Sequence, residues 1–342
     1  MRGPTYSIVI PVLDEEETLE TLFDRLSTVL QDLDGDAEVL LVDDGSRDRS
    51  YEIMLERRAR DPRFKLLRLS RNFGHQIAIT AGLDAAAGDA VVIMDSDLQD
   101  PPEIIPELAA RWRDGYEIVH AVRTDRDGDT AFKRATASVF YRALRRVADL
   151  DAPVDSGDFR LVDRRALEAF RSMRENNRYV RGLFAWVGFN QSGVTYLRGA
   201  RAAGVTKYPF RRMLKFAADA VLSFSNAPLR MALTLGFILA VVSFLGGITI
   251  VVMKLSGTTL VPGWTSILTA VCFIGGIQLV MLGVVGEYIA RIYDEVKNRP
   301  LYIVSDMHGI AHSARTEPRR SVITHNGDEA AAFEEISVTK AR

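Results

Sequence analysis

Val91-Val-Ile-Met-Asp95-Ser-Asp97-Leu-Gln99-Asp-Pro-Pro-Glu103 is the stretch that decides the fold class. Its opening apolar run has no polar alternation, as expected of a strand buried on both faces of a sheet. Two carboxylates follow at i and i+2, and Pro101 and Pro102 then lead into a helix, whose first turn tolerates proline. A strand ending in this way sets Asp95 and Asp97 at the carboxyl edge of a parallel sheet, where open α/β folds bind ligands. Hard oxygen donors there suit Mg²⁺ or Mn²⁺ bridging a diphosphate. An isolated Asp-x-Asp more often only solvates a loop, and the strand before it is what raises this pair to a candidate site.

Outward from that stretch the same alternation runs from Tyr6 to about Tyr196. Strands are expected at Ser7–Leu13, Glu38–Val42, Lys65–Leu69, Ala90–Met94 and Ile118–Val122, with helices at Glu16–Gln31, Arg47–Arg60, Gln76–Ala87 and Pro102–Arg113. Short β-rich runs alternating with longer helical ones predict an α/β domain with a mainly parallel sheet. Val39-Leu-Leu-Val-Asp43-Asp44-Gly45-Ser46 also ends a strand in carboxylates. An aspartate there can accept from the N–H of a nucleobase, Gly45 permits a tight turn, and Ser46 or Asp48 can cap the next helix. The two readings are compatible, because the cap needs only one of these residues.

The 342-residue chain is 47% hydrophobic, enough for one sizeable soluble domain plus a membrane segment or a small second domain. A net charge of -2 gives no sign of a nucleic-acid partner. The single cysteine, Cys272, rules out an intrachain disulfide and a cysteine metal site, so any metal must be held by oxygen or histidine. No basic segment followed by an apolar one opens the chain, and the first two hundred residues are expected to stay in the cytosol. Leu229–Met253 contains one charge, Arg230, and Thr265–Gly286 contains none. Each exceeds the ~20 residues that cross a bilayer, and two antiparallel spans put both termini on one side. Arg198, Arg201, Lys207, Arg211, Arg212, Lys215 and Arg230 precede the first span and Arg291, Lys297 and Arg299 follow the second, with only Lys254 between, which places the catalytic domain and both termini in the cytoplasm. Lys207–Ser225 has the spacing of an interfacial amphipathic helix. Beyond Ser305 the sequence turns polar without apolar periodicity and is expected to be disordered.

Ile10-Pro11-Val-Leu-Asp14-Glu15-Glu16, Val42-Asp43-Asp44-Gly45-Ser46-Arg-Asp48, Asp95-Ser96-Asp97 and Gly157-Asp158-Phe159-Arg160-Leu161 occur in an order that resembles the family 2 glycosyltransferases of the Rossmann-like GT-A fold. More narrowly, Gly204-Val-Thr206-Lys207-Tyr208 before the apolar runs, and the segment Gly286–Pro300 after them, resemble the bacterial polyprenyl-phosphate glycosyltransferases, relatives of dolichyl-phosphate mannose synthase with two C-terminal membrane helices. The resemblance covers residues about 5 to 304. It implies a cytoplasmic GT-A domain over 1–200, juxtamembrane amphipathic helices over 201–228, a transmembrane hairpin over 229–289 and a return segment over 290–304, with the tail at 305–342 outside it.

It also implies an inverting transfer of a hexose from a nucleotide-sugar to polyprenyl phosphate, undecaprenyl phosphate in bacteria, at the inner membrane. UDP-glucose is the favoured donor, then GDP-mannose or a UDP-N-acetylhexosamine. Pro11, Leu13, Glu15, Val42 and Asp44 would surround the nucleoside with Asp43 adjacent, and Asp95, Ser96, Asp97 and Gln99 would lie around Mg²⁺ or Mn²⁺ and the diphosphate. Arg123, Lys133, Arg134 and Arg160 fall where such enzymes hold phosphates, a task suited to bidentate guanidinium. Arg178, Arg181, Lys207 and Arg211 precede the membrane, where a lipid phosphate would approach. Asp158 is placed as catalytic base or as orienting residue, both roles standing, because an acceptor phosphate with a second pKa near ~6 needs no strong base. His75 and His120 have no partner at metal spacing and are assigned no chemistry. Relatives suggest a homo-oligomer, a tetramer. A processive polysaccharide synthase would carry Gln-x-x-Arg-Trp, which is absent, and two spans are few for a flippase; a non-enzymatic sugar-nucleotide sensor gains little from the sequence.

Overall fold

The computed structural model describes residues 4–123, 156–196, 227–256 and 263–310. The expected interfacial helix, Lys133, Arg134, Lys207, Arg211 and the tail from 311 lie outside these residues. The catalytic part is an α/β sheet whose elements run β1 (Tyr6–Val12), α1 (Leu19–Asp32), β2 (Ala37–Asp43), α2 (Ser50–Arg60), β3 (Phe64–Leu69), α3 (His75–Ala85), β4 (Ala90–Ile93), a 3₁₀ turn (Pro102–Ile104), α4 (Ile105–Arg113) and β5 (Ile118–Arg123). After the undescribed stretch come β6 (Ser156–Asp163), α5 (Arg164–Ser172), α6 (Val180–Trp186) and β7 (Gln191–Tyr196). Then follow the long helices α7 (Ala227–Leu255) and α8 (Trp264–Lys297), and the last strand, β8 (Val304–His308).

The sheet order is β7-β5-β6-β4-β1-β2-β3-β8. β1 pairs in parallel with β2 and β4, β2 with β3, and β5 with β7, so the carboxyl ends of these strands share one edge. β6 is antiparallel to both β4 and β5 and therefore starts at that edge. Alternation along β1 sends Tyr6, Ile8, Ile10 and Val12 into the core beneath α1 and α4, while Val9 joins Ala78, Ile79 and Phe170 on the opposite face. Close packing on that second face requires Gly82, where a Cβ would fall 2.3 Å from a methyl carbon of Val9.

The first two helices begin later than the sequence pattern suggested. Asp14 takes a positive φ of 54°, and the loops after β1 and β2 are tied together before either helix starts. Ser46 Oγ accepts from Asp14 N and Asp14 Oδ1 from Arg47 N, at 3.2 and 2.8 Å. Ser50 Oγ accepts from Glu15 N at 2.8 Å, while Asp48 and Glu16 carboxylates accept from the amides of Glu16 and Arg49 at 3.2 and 3.0 Å. These side chains compete with the helix for the backbone. The result is a double loop at the functional edge. Gly45 belongs to it, with φ of +79° and space for a Cβ only 2.8 Å from Asn72 N.

Both apolar runs are helical. Within α8, Phe273–Lys297 is long and apolar enough to cross a membrane and is 0% buried. The helix continues past the apolar run to Lys297, with Glu287–Arg291 and Asp294–Lys297 ion pairs along its end. At ~1.5 Å per residue its 34 residues exceed the ~30 Å of hydrocarbon.

The boundary expected at 304/305 needs correction, because Val304–His308 is a strand antiparallel to β3. Edge-strand pairing uses backbone groups and asks little of side-chain hydrophobicity, so no apolar pattern announced it. Around it, Tyr302 donates to Asp84 Oδ2 at 2.9 Å, Ser70 N donates to Ile303 O at 2.8 Å, and Tyr51 hydroxyl donates to Asp306 Oδ2 at 2.5 Å. Asn176 N donates to Glu295 Oε1 at 2.7 Å, tying the end of α8 to the catalytic domain as well. Ending the chain at residue 303 should expose the β3 edge and lower the melting temperature by several degrees, at about 2–4 °C per kcal/mol for a domain of this size, as read by thermal unfolding in detergent.

Candidate active site

Register explains how the site assembles. Ile93 on β4 faces Arg160 on antiparallel β6, so two residues further towards the sheet edge Asp95 and Asp158 come level. His75, the first residue of α3, stands with Nε2 3.4 Å from Asp95 Oδ1 and 3.4 Å from Asp158 Oδ2. Asp44 accepts from the Phe73 and Gly74 amides at 2.7 and 2.9 Å, and so fixes the turn that delivers His75. His75 was the residue that spacing passed over. Its signal lay in its position at a helix N-terminus after a strand-ending loop, and no local metal pattern marks that.

Asp158 is 3% exposed and receives a bidentate grip from Arg181, Nε to Oδ1 at 2.7 Å and Nη2 to Oδ2 at 3.0 Å. Burial alone would raise its pKa, but Arg181, with His75 and Arg160 nearby, holds it far below the usual carboxylate range. Asp95 is pushed up to about 6, by burial first and by Asp158, Asp100 and Asp97 against the opposing charge of His75. Desolvation opposes the charge on His75, whose side chain is 43% exposed, but Asp158 and Asp95 outweigh it and raise the imidazole pKa. The edge therefore gathers two carboxylates in opposite electrostatic conditions, the buried Asp158 saturated by a guanidinium and the partly exposed Asp95 short of positive charge.

That shortage bears on a metal. Asp95 Oδ1 is buried without a hydrogen-bond partner, and Asp97 lies two residues away with Oδ1 accepting from Gln99 N at 3.1 Å. Leu98 between them takes a positive φ of 59°, a strained turn of the kind that re-aims side chains at ligand sites. Among the described residues no three His, Cys, Asp or Glu side chains form a ready-made cage. Mg²⁺ is ordinarily held by only one or two carboxylates plus substrate phosphates, so the pair Asp95 and Asp97 fits such an ion.

The other expected residues divide. Pro11, Leu13, Glu15, Val42 and Asp43 stand at the carboxyl ends of β1 and β2 and in the loop behind them. Asp43 is 1% exposed, accepts from Ser46 N and forms an ion pair with Arg68 Nε at 3.0 Å. The main chain takes both Asp44 oxygens. Ser96 is buried and its carbonyl accepts from Thr18. Arg123 lies at the end of β5 beside Asp100. Arg160 and Arg178, both expected to bind phosphate, need correction. Arg160 is 1% exposed and donates inward to the Gly157 and Asp158 carbonyls, with Phe184 beneath it. It shares with Asp158 the face of β6 that packs on α6 but lies two residues further from the sheet edge, level with Ile93, and that depth keeps it inside the domain. Arg178 is 8% exposed, donates to Met173 O and lies over Phe170. His120 is buried against Gln191 and lowered to about 4 by burial and Arg160, in keeping with its structural reading.

Removing one partner of the Asp158–Arg181 pair should be felt in stability. Arg181→Leu is expected to cost up to about 3 kcal/mol, the low end for a buried pair because Arg181 is itself a third exposed. A depressed carboxylate adds stability above its unfolded pKa of ~3.9 and loses it below. Melting curves of the wild type should therefore fall more steeply below about pH 4 than those of the variant.

The sequence profile described as "Glycosyl transferase family 2" matches residues 7–171, and that of the "GtrB C-terminal hairpin" matches 227–292. The chain is 48% identical over 305 residues to the uncharacterized glycosyltransferase YkcC of Bacillus subtilis, covering 89% of this chain and 94% of that protein. It is 38% identical over 302 residues to the SfII prophage-derived bactoprenol glucosyl transferase of Shigella flexneri, covering 88% and 98%. A glucosyl-3-phosphoglycerate synthase from Mycobacterium tuberculosis superposes with a TM-score of 0.44 at 22% identity, over 64% of this chain and 78% of that one. With the Bacillus and Shigella relatives matched over nearly their whole length, catalytic domain and hairpin together, the chain belongs to the family 2 glycosyltransferases, in the polyprenyl-phosphate group that carries the GtrB-type C-terminal hairpin.

Proposed function

We propose that this glycosyltransferase moves glucose from UDP-glucose, with inversion, onto the phosphate of a long polyprenyl lipid at the cytoplasmic face of the inner membrane. The observation that carries the reading is the direct tie between the membrane-type helix and the catalytic domain. Asn176 binds Glu295 at the end of α8, and five residues further on Arg181 grips Asp158. A phosphate presented by a bilayer-embedded chain would so meet the Asp95–His75–Asp158–Arg181 edge. The bactoprenol glucosyl transferase named above supports both glucose and the lipid carrier as substrates. If α7 and α8 both span the bilayer, their basic flanks fall on one side, which supports a cytoplasmic placement of both termini.

The chemistry needs no strong base. A phosphate monoester loses its second proton near ~6 and is largely dianionic at neutral pH. One of its oxygens forms the new bond to the anomeric carbon as the bond from that carbon to the nucleoside diphosphate breaks, the electron pair leaving with the diphosphate. Asp158, held ionised by Arg181, is a weak base, and its task is to orient Arg181 and His75 beside the reacting phosphates. Asp95 and Asp97 would hold Mg²⁺ or Mn²⁺, which supplies positive charge for the departing diphosphate. The double loop built from Asp14–Glu16 and Asp44–Ser50 gives the nucleoside a rigid shelf.

A donor screen with purified protein and undecaprenyl phosphate tests the reading: UDP-glucose should yield an organic-extractable, acid-labile product, and GDP-mannose or UDP-N-acetylglucosamine far less. Transfer only to soluble acceptors would overturn it. EDTA should abolish turnover, and Asp97→Asn should lower it at least about a hundredfold with folding intact. Asp158→Asn should cost about 10²–10⁴ in rate, yet the residual rate should still rise with pH through ~6, because the phosphate supplies its own anion.

A further inference from the structure

A second polar assembly, next to the Asp95–Asp158 centre, plays no part in the steps above. Arg123 closes β5 and Tyr196 closes β7, and the two are paired in register. Asp100, on the loop after Asp97, is 1% exposed. The Tyr196 hydroxyl donates to Asp100 Oδ1 and accepts from Arg123 Nε at 3.1 Å, while Arg123 Nη2 stands 3.5 Å from the same carboxylate oxygen. On its other side the guanidinium lies against Gly157, where a Cβ would fall 2.8 Å from Nη2. Three elements that meet only in the folded sheet thus fix one arginine head group whose side chain remains 25% exposed.

Burying a carboxylate is costly unless it is paired and hydrogen-bonded, and an apolar residue could hold the loop without that cost. A buried Asp100 that holds the Tyr196 hydroxyl and faces Arg123 therefore points to the guanidinium as the feature being controlled. Asp100 and Tyr196 occupy two of its edges, and a guanidinium has five N–H donors in a fixed fork matched to phosphate. Its charge shares the cleft with Arg181, which acts on it electrostatically, as Asp100 does on Asp95.

We propose that Asp100 and Tyr196 are positioning residues that set the Arg123 guanidinium to bind a phosphate group at the rim of the catalytic cleft, and that Gly157 is small so that it can lie there. The ligand is a phosphate oxygen, from either the nucleoside diphosphate or the lipid phosphate. The inference rests on the transferase reading, in which Arg123 is expected beside a phosphate, and deepens it by naming the residues that position its guanidinium.

The test uses the full-length protein in detergent, with UDP-glucose and undecaprenyl phosphate as substrates and inorganic pyrophosphate as a binding probe. The variants are Tyr196→Phe, Gly157→Ala and Arg123→Ala, and each of the first two combined with the third. Phenylalanine at 196 keeps the ring that packs edge-on to Phe159 at 6.0 Å, so the melting temperature should hold. Tyr196→Phe and Gly157→Ala should each raise KM for one substrate about tenfold, the size of one charge-assisted hydrogen bond, and neither should add to the loss in Arg123→Ala. A rise confined to UDP-glucose assigns the guanidinium to the diphosphate, and one confined to the lipid assigns it to the acceptor. Equal losses with and without Arg123, or unchanged KM for both substrates, would overturn the proposal. If no donor supports transfer but pyrophosphate binding weakens in Tyr196→Phe only while Arg123 is present, the anion site stands and the transferase reading falls.

Discussion

The constraint on which this structure depends is the convergence of carboxylates at one sheet edge. Asp95, Asp97, Asp100 and Asp158 come together where β4 ends and β6 begins, and like charges at close range in a poorly solvated place repel unless each is answered. Arg181 answers Asp158, Arg123 and Tyr196 answer Asp100, and His75 stands between Asp158 and Asp95. Asp95 is left short of positive charge, and its pKa is raised by burial first and then by the neighbouring carboxylates, against His75. In the proposed reaction a divalent cation and the substrate phosphates would complete that balance.

The strands serve that arrangement through direction. Parallel strands alone would bring only their carboxyl ends to the edge. The antiparallel β6 instead begins there, so Asp158 arrives from the opposite chain direction at the level of Asp95. The same strand sends Arg160 two residues deeper, where it holds the carbonyls of Gly157 and Asp158 and steadies the strand's start. Arg160 and Arg181 thus take different work, Arg160 on the backbone of β6 and Arg181 on the Asp158 carboxylate.

The GtrB-type hairpin and the segment that follows it are tied into the catalytic domain. After α8 the chain returns through Tyr302, bound to Asp84 at the end of α3, and β8 extends the sheet beyond β3. β3 carries Arg68, which pairs with Asp43 and lies over Tyr51, whose hydroxyl binds Asp306 of β8. β8 thus covers the lateral edge of the sheet beside β3, whose Arg68 in turn holds Asp43 at the carboxyl end of β2.

The sequence by itself determined the alternating elements from Tyr6 to Ile118, the carboxylates that end β2 and β4, and two apolar helices. Each of these is written in local period and residue type, which follow from burial within one element. The motifs Ile10–Glu16, Val42–Asp48, Asp95–Asp97 and Gly157–Leu161 also carried the family, because their order along the chain is itself the signal. Only the tertiary structure decided that His75 joins Asp95 and Asp158, that Arg181 saturates Asp158, that Arg160 and Arg178 turn inward, and that Val304–His308 completes the sheet. These depend on pairing between residues far apart in sequence and on the depth of a side chain along a strand. Backbone hydrogen bonds and register fix both, and neither leaves a period in the chain.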